Sequence, residues 1–239
     1  MANAQEQRVR RLGEAIAERG VLRLRDAASL LGVSEMTVRR DLAAAPGLFA
    51  YLGGHIVAAG DIGGPAYALD READLHARAK IRACEHALAL IEPNDTLFLD
   101  CGTTLVHLAE RLPEAMPLTV LCYALNVCNA LSRKPNVRTI LLGGLYHPAS
   151  ASFAVDDPAA LERYGINKAF LSAGGVDPAR GVSCSHFHEV PVKRKALATA
   201  LEAHLVVDAS KIGRVKPAVF AAVGDFRSIV TEGGSGPPK

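Results

Sequence analysis

No stretch of this 239-residue chain approaches the ~20 consecutive apolar residues that cross a bilayer, which excludes a helical membrane protein. The N-terminus, Met1-Ala2-Asn3-Ala4-Gln5-Glu6, lacks the apolar core of a secretory signal, so a cytoplasmic protein is expected. Cys84, Cys101, Cys122, Cys128 and Cys184 are an odd number with no Cys-x-x-Cys spacing, which argues against a disulfide framework and for reduced thiols. There is no internal repeat. Positive charge is scarce too: the formal net charge is only +2, weak support for a nucleic-acid partner. Its distribution says more. Residues 1–60 carry eight Arg against six Asp and Glu, which accounts for the whole excess. One domain so mildly basic would hold DNA weakly, because phosphate contacts supply most nonspecific affinity. A homodimer or a higher even oligomer is therefore expected.

Apolar residues are plentiful. At 49% of the chain they can fill two cores, one small and one of medium size. The stretch Leu31-Gly32-Val33-Ser34-Glu35-Met36-Thr37-Val38-Arg39-Arg40-Asp41-Leu42 reads as the turn and second helix of a helix-turn-helix. Gly32 supplies the turn, Val33 plugs the gap between two helices, and Ser34 caps the helix that follows. Val38 and Leu42 form a buried stripe, Met36, Arg40 and Ala43 stand opposite, and Thr37 and Arg39 flank them. A helix apolar behind and basic in front suits groove and phosphate contact, so Ser34, Thr37, Arg39 and Arg40 are the expected DNA-binding residues. A first helix is expected over 6–19 and a second over 25–31. After Pro46-Gly47, strands at 49–52 and 55–57 around Gly53-Gly54 complete a winged helix.

Residues 58–73 read as a linker, and 233–239 as a disordered tail. Between them helices and short apolar strands alternate. Strands are expected at 96–99, 118–122, 137–142, 168–172 and 204–207, with weaker ones at 220–223 and 228–231. Helices are expected at 74–91, 104–112, 126–132, 158–164 and 190–202. This is a mostly parallel α/β sheet covered on both faces, whose ligands bind beyond the carboxyl ends of the strands. Asp100-Cys101-Gly102-Thr103-Thr104 follows the first strand and is either a phosphate cradle or an ordinary strand-to-helix loop. Tyr123 and Asn126, Gly143-Gly144, Ala173–Asp177 and Asp208–Lys211 follow later strands. Together they suit a small polyol phosphate, although each alone is ordinary turn chemistry. Glu189 and Lys193, at i and i+4, are a surface ion pair or a ligand cation with its partner. Cys184, His186 and His188 alternate as on a strand, but without a fourth ligand no metal is expected, and no cofactor either.

The run Ala27-Ala28 to Leu42, closed by Gly53-Gly54, resembles the N-terminal domain of the DeoR/GlpR family of bacterial repressors, and residues 75–230 resemble its effector domain. That resemblance implies a sensor fold like ribose-5-phosphate isomerase and a phosphorylated sugar or polyol as ligand. Carried over by position, its motifs fall on Asp100, Gly102, Thr103 and Thr104, on Leu141–Gly144, on Val192–Arg194 and on Asp208–Lys211; with Asn126 from the strand-end reading, the expected effector-binding residues are Asp100, Gly102, Thr103, Thr104, Asn126, Gly143, Gly144, Lys193, Asp208 and Lys211. The chain departs from the family pattern at Leu105, where a threonine is common, and at Cys122–Ala124. The segments Asp100–Thr104, Val120–Asn126 and Glu189–Lys193 are most similar to the deoxyribonucleoside-catabolism branch, which implies deoxyribose-5-phosphate as inducer. The expectation is thus a transcriptional repressor with residues 1–57 on operator DNA and 74–232 on the effector. The alternative is a sugar-phosphate isomerase with an N-terminal extension, in which Glu189 is the one tempting base.

Overall fold

The computed structural model describes residues 4–19, 21–45, 48–52, 55–58 and 76–238. Gly53-Gly54 and all of the expected linker after Ala58 lie outside the described residues. The N-terminal part holds α1 (Ala4–Arg19), β1 (Val21–Arg23), α2 (Leu24–Leu31), α3 (Glu35–Ala44), β2 (Phe49–Leu52) and β3 (His55–Ala58). Leu12, Ala15 and Ile16 of α1 meet Leu24, Ala27, Ala28 and Leu31 of α2 and Val38 and Leu42 of α3 in one small core. Gly32 ends α2 at φ 67°, and the Ser34 hydroxyl accepts from the Thr37 amide at 3.2 Å, as the turn chemistry requires. The expected short bridge before α2 is a strand instead. β1 pairs antiparallel with β3, with Leu22 opposite Ile56, and both side chains are buried. Three residues are too few to reveal a period.

The larger part is built on a seven-stranded sheet. In chain order its elements are α4 (Ala77–Leu88), β4 (Thr96–Leu99), α5 (Thr103–Arg111), β5 (Leu118–Cys122), α6 (Leu125–Leu131), β6 (Val137–Leu141), β7 (Gly144–His147), β8 (Ser152–Val155), β9 (Lys168–Leu171), β10 (Gly175–Asp177), β11 (Gly181–Cys184), α7 (Val190–Thr199), β12 (Glu202–Val206), β13 (Ala218–Ala221), β14 (Ser228–Thr231) and β15 (Gly234–Gly236). The strand order is β15-β14-β12-β9-β4-β5-β6, parallel throughout except at β15. Leu97, Phe98 and Leu99 on β4, Val120, Leu121 and Cys122 on β5, and Phe170 and Leu171 on β9 are wholly buried, which explains their unbroken apolar runs.

Several expectations need correction. The expected disordered tail over 233–239, of which Lys239 lies outside the described residues, holds a strand instead: Gly234–Gly236 pairs antiparallel with β14 and covers that edge of the sheet. The helix read over 158–164 is a 3₁₀ turn at Pro158–Arg163, opened by the Asp157 carboxylate, which accepts from the Ala159 amide at 3.1 Å. α7 stops at Thr199 because Glu202 already pairs in β12. The alternation from Cys184 to His188 is no strand. β11 ends at Cys184, and Phe187–Glu189 turns into α7. The β7–β8 hairpin and the small β10-β11-β13 sheet were not foreseen.

Candidate functional site

Parallel strands end on one side, so strand order fixes which loops become neighbours. Across the rim lie Asp208 after β12, Ser172 after β9, Asp100–Thr104 after β4, Tyr123–Asn126 after β5 and Leu142–Gly144 after β6. The expected ligand residues thus share one edge. Their contacts are less uniform.

Asp100 is fully buried and wholly engaged. Its carboxylate accepts from the Tyr123 hydroxyl at 2.5 Å, from the Ser172 amide at 2.7 Å and hydroxyl at 3.0 Å, and from the Lys193 ammonium. Lys193 is equally buried, donates to the Ser172 carbonyl at 3.3 Å, and lies 3.6 Å from Glu189 Oε2. Burial alone would lower its pKa, but the negative charge of Asp100 and then of Glu189 outweighs that and holds the ammonium well above its ordinary value. Burial, then the Asp100 charge, pushes the Tyr123 phenol well up, so it stays a donor. The surface ion pair read for Glu189 and Lys193 is overturned, because both side chains are buried. The arrangement is a buried acid–base–acid triad spanning three elements.

One step away, Gly102 at φ 101° leads into α5, and no side chain caps that helix. Thr103 and Thr104, both buried, open it. The Thr103 hydroxyl accepts from Lys80 of α4 at 2.9 Å. Lys80 had no place in the sequence reading, although its spacing carried a clue. It stands at i on the stripe of Ala83, Cys84 and Ala87, the buried face of α4. Asn126 caps itself, its side-chain oxygen accepting from the Val127 amide at 2.9 Å. Asp208 accepts from the Ser210 amide at 3.1 Å, and Lys211 closes that 3₁₀ turn. The buried Asn126 Nδ2 and Asp208 Oδ2 have no partner among the described residues. Gly143 is open, whereas a Cβ on Gly144 (φ 151°) would stand 1.9 Å from the Ala154 carbonyl oxygen, so Gly144 is there for the β7–β8 hairpin.

Beside the triad, His188 stacks on His147 with ring centroids 3.7 Å apart and on His186 at 5.4 Å, and Ser152 Oγ lies 3.2 Å from its Nε2. Burial, then His147, His186 and Lys193, lower the His188 pKa from 6.5 to about 4. Below pH 6.5 the unfolded chain therefore takes up a proton that the folded chain refuses. This part of the stability is complete above pH 6.5 and drains away as pH falls toward 4. The urea midpoint should be lower at pH 5 than at pH 7, and His188→Gln should narrow that gap. An unchanged gap would remove His188 from the account.

In the N-terminal part, Ser34 and Thr37 hydroxyls bond to each other at 3.0 Å, and Arg39 donates to the Tyr51 hydroxyl at 2.8 Å while stacking on its ring at 4.6 Å. Arg40 is exposed. Behind the helix Asp41 is buried and accepts from Arg8 of α1 at 2.6 and 2.9 Å. This fork-to-carboxylate clamp joins residues 33 apart, with no local pattern to announce it.

Residues 8–46 match the DeoR-like helix-turn-helix domain, and residues 75–233 match the DeoR C-terminal sensor domain. The chain is 38% identical to the deoxyribose operon repressor of Escherichia coli, over 97% of this chain and 92% of that protein. It is 30% identical to the HTH-type transcriptional regulator IolR of Bacillus subtilis, over 94% and 90%. Among solved structures, ribose 5-phosphate isomerase A from Neisseria gonorrhoeae aligns at a TM-score of 0.43 and 14% identity, over 59% of this chain and 54% of that one, a likeness too remote to bear on function. No described helix is long and apolar enough to cross a membrane. A DeoR-type reading helix precedes a DeoR-type sensor sheet in one polypeptide, and the chain belongs to the DeoR family of transcriptional repressors.

Proposed function

We propose that this repressor leaves its operator when a phosphorylated sugar, deoxyribose-5-phosphate, occupies the rim at the end of β4. One observation carries the reading: the uncapped start of α5 is buried beside Lys80, whose ammonium touches Thr103. Free amides at a helix start attract phosphate, and a buried lysine supplies the opposing charge. Gly102, Thr103 and Thr104 would hold the phosphate, with Lys80 and Lys211 as cations. Asn126 Nδ2 and Asp208 Oδ2 would take sugar hydroxyls. Lys193 would act through Asp100 rather than on the ligand, because its ammonium is already shared between two carboxylates. The same sharing disfavours an isomerase, since neither Asp100 nor Glu189 is free to serve as base. The choice of sugar rests on what the Escherichia coli relative is called.

Residues 1–57 would read DNA and 74–232 would sense the ligand, as a homodimer or larger even assembly on paired half-sites. Coupling of about 1–3 kcal/mol changes operator affinity roughly 5- to 150-fold, which suffices for release. Deoxyribose-5-phosphate should shift the operator-binding curve within that range in a fluorescence anisotropy titration. The Thr103→Ala, Thr104→Ala double variant should bind DNA equally well yet respond far less. A normal response from that variant refutes the phosphate assignment.

A further inference from the structure

We infer that Met36 reads the C5-methyl group of a thymine in each operator half-site, an inference that rests on the repressor reading above. Of the large apolar side chains in the N-terminal part, Met36 is 68% exposed, although it sits in a helix whose rear face is packed. It is the second residue of α3, about 160° around the helix from the buried Val38 at 3.6 residues per turn. The first turn of a reading helix is the part that meets base edges. Several neighbouring side chains suited to DNA are also tied within the domain. The Ser34 hydroxyl caps the helix and bonds to Thr37, and Arg39 is held on Tyr51. Arg40 and Met36 are left pointing away from the core.

An arginine can bind phosphate or guanine, but a thioether cannot take a base-edge hydrogen bond as donor. The one apolar group in the major groove is the thymine methyl. Methionine is unbranched and polarizable, so it can settle around a methyl without a rigid fit. The helix beneath it is fixed by the Arg8–Asp41 fork, so the contact falls at one base step rather than over several.

The test begins with the full-length protein selecting its preferred duplex from a random library. Each thymine of that duplex is then replaced singly by uracil, which removes only the methyl. Burying one such carbon is worth about a fourfold change in Kd, so one thymine per half-site should show a loss of that size. Met36→Ala should abolish the uracil penalty at that position alone, and Met36→Leu, still apolar, should keep it. Three results overturn the inference: wild type indifferent to every uracil, Met36→Ala paying the same penalty, or Met36→Leu losing it along with alanine. A selection that enriches no sequence overturns it together with the repressor reading. A clear operator without a methyl effect overturns Met36 alone.

Discussion

Replacing Lys193 with methionine is expected to lower the unfolding free energy of the sensor domain by about 3–5 kcal/mol. The reason is what remains. Asp100 is wholly buried, and without the ammonium its charge would face only the Tyr123 hydroxyl and the Ser172 amide and hydroxyl. Glu189, buried as well, would lose the same partner. A loss of that size is a large share of the about 5–15 kcal/mol that holds a domain together. Adding Asp100→Asn to Lys193→Met should restore part of it, because the more deeply buried of the two stranded charges is then gone, and a double-mutant cycle in urea would report the coupling. The lysine is held above its ordinary 10.5, so its contribution is complete at every pH below that value and fades only as pH climbs beyond it. Neutral buffer therefore shows the full effect. A cost below about 1 kcal/mol at pH 7 would mean the triad is not the structural joint described here.

Gly144→Ala should be nearly as damaging, and for a backbone reason. The added methyl meets the Ala154 carbonyl oxygen at 1.9 Å, and φ 151° is unfavourable for any residue with a Cβ. Gly144 faces Val155 in the β7–β8 register, so relief of the clash means parting the hairpin. The expected cost is about 3 kcal/mol or more, with new proteolytic cleavage between residues 144 and 155. Gly143→Ala, with nothing within 4 Å of the new carbon, should stay within about 0.5 kcal/mol of wild type. Equal behaviour of the two variants would refute the packing argument.

What could be read from the sequence followed its periodicities. α3, with Val38 and Leu42 behind and arginines in front, was legible because a helix buried on one side repeats every turn. The sheet strands were legible as unbroken apolar runs bounded by Gly, Pro and Asp. The β7–β8 and β10–β11 hairpins were not, because runs of three or four residues carry no period and their partners are set by tertiary packing. The candidate site divides the same way. Loop residues announced themselves by lying just past strands. Lys80, and the bonds that Tyr123 and Ser172 make to Asp100, could not be read because they join residues 23 to 72 positions apart. Only the finished sheet brings those partners together. The stacked histidines illustrate the converse: their spacing was noticed for a strand that does not form, while His147, from the unforeseen hairpin, completes the stack.

The fork from Arg8 to Asp41 has one more consequence. It ties the first helix to the back of the third, and Arg11 ties the first to the second through the Leu30 carbonyl at 3.0 Å. A head so braced travels as one piece, since tilting a single helix would strand the Asp41 carboxylate. On the proposed reading, a message from the sensor domain would then arrive as a change in where a whole head stands along the duplex, and an operator with altered half-site spacing should feel the proposed effector differently from one with altered bases.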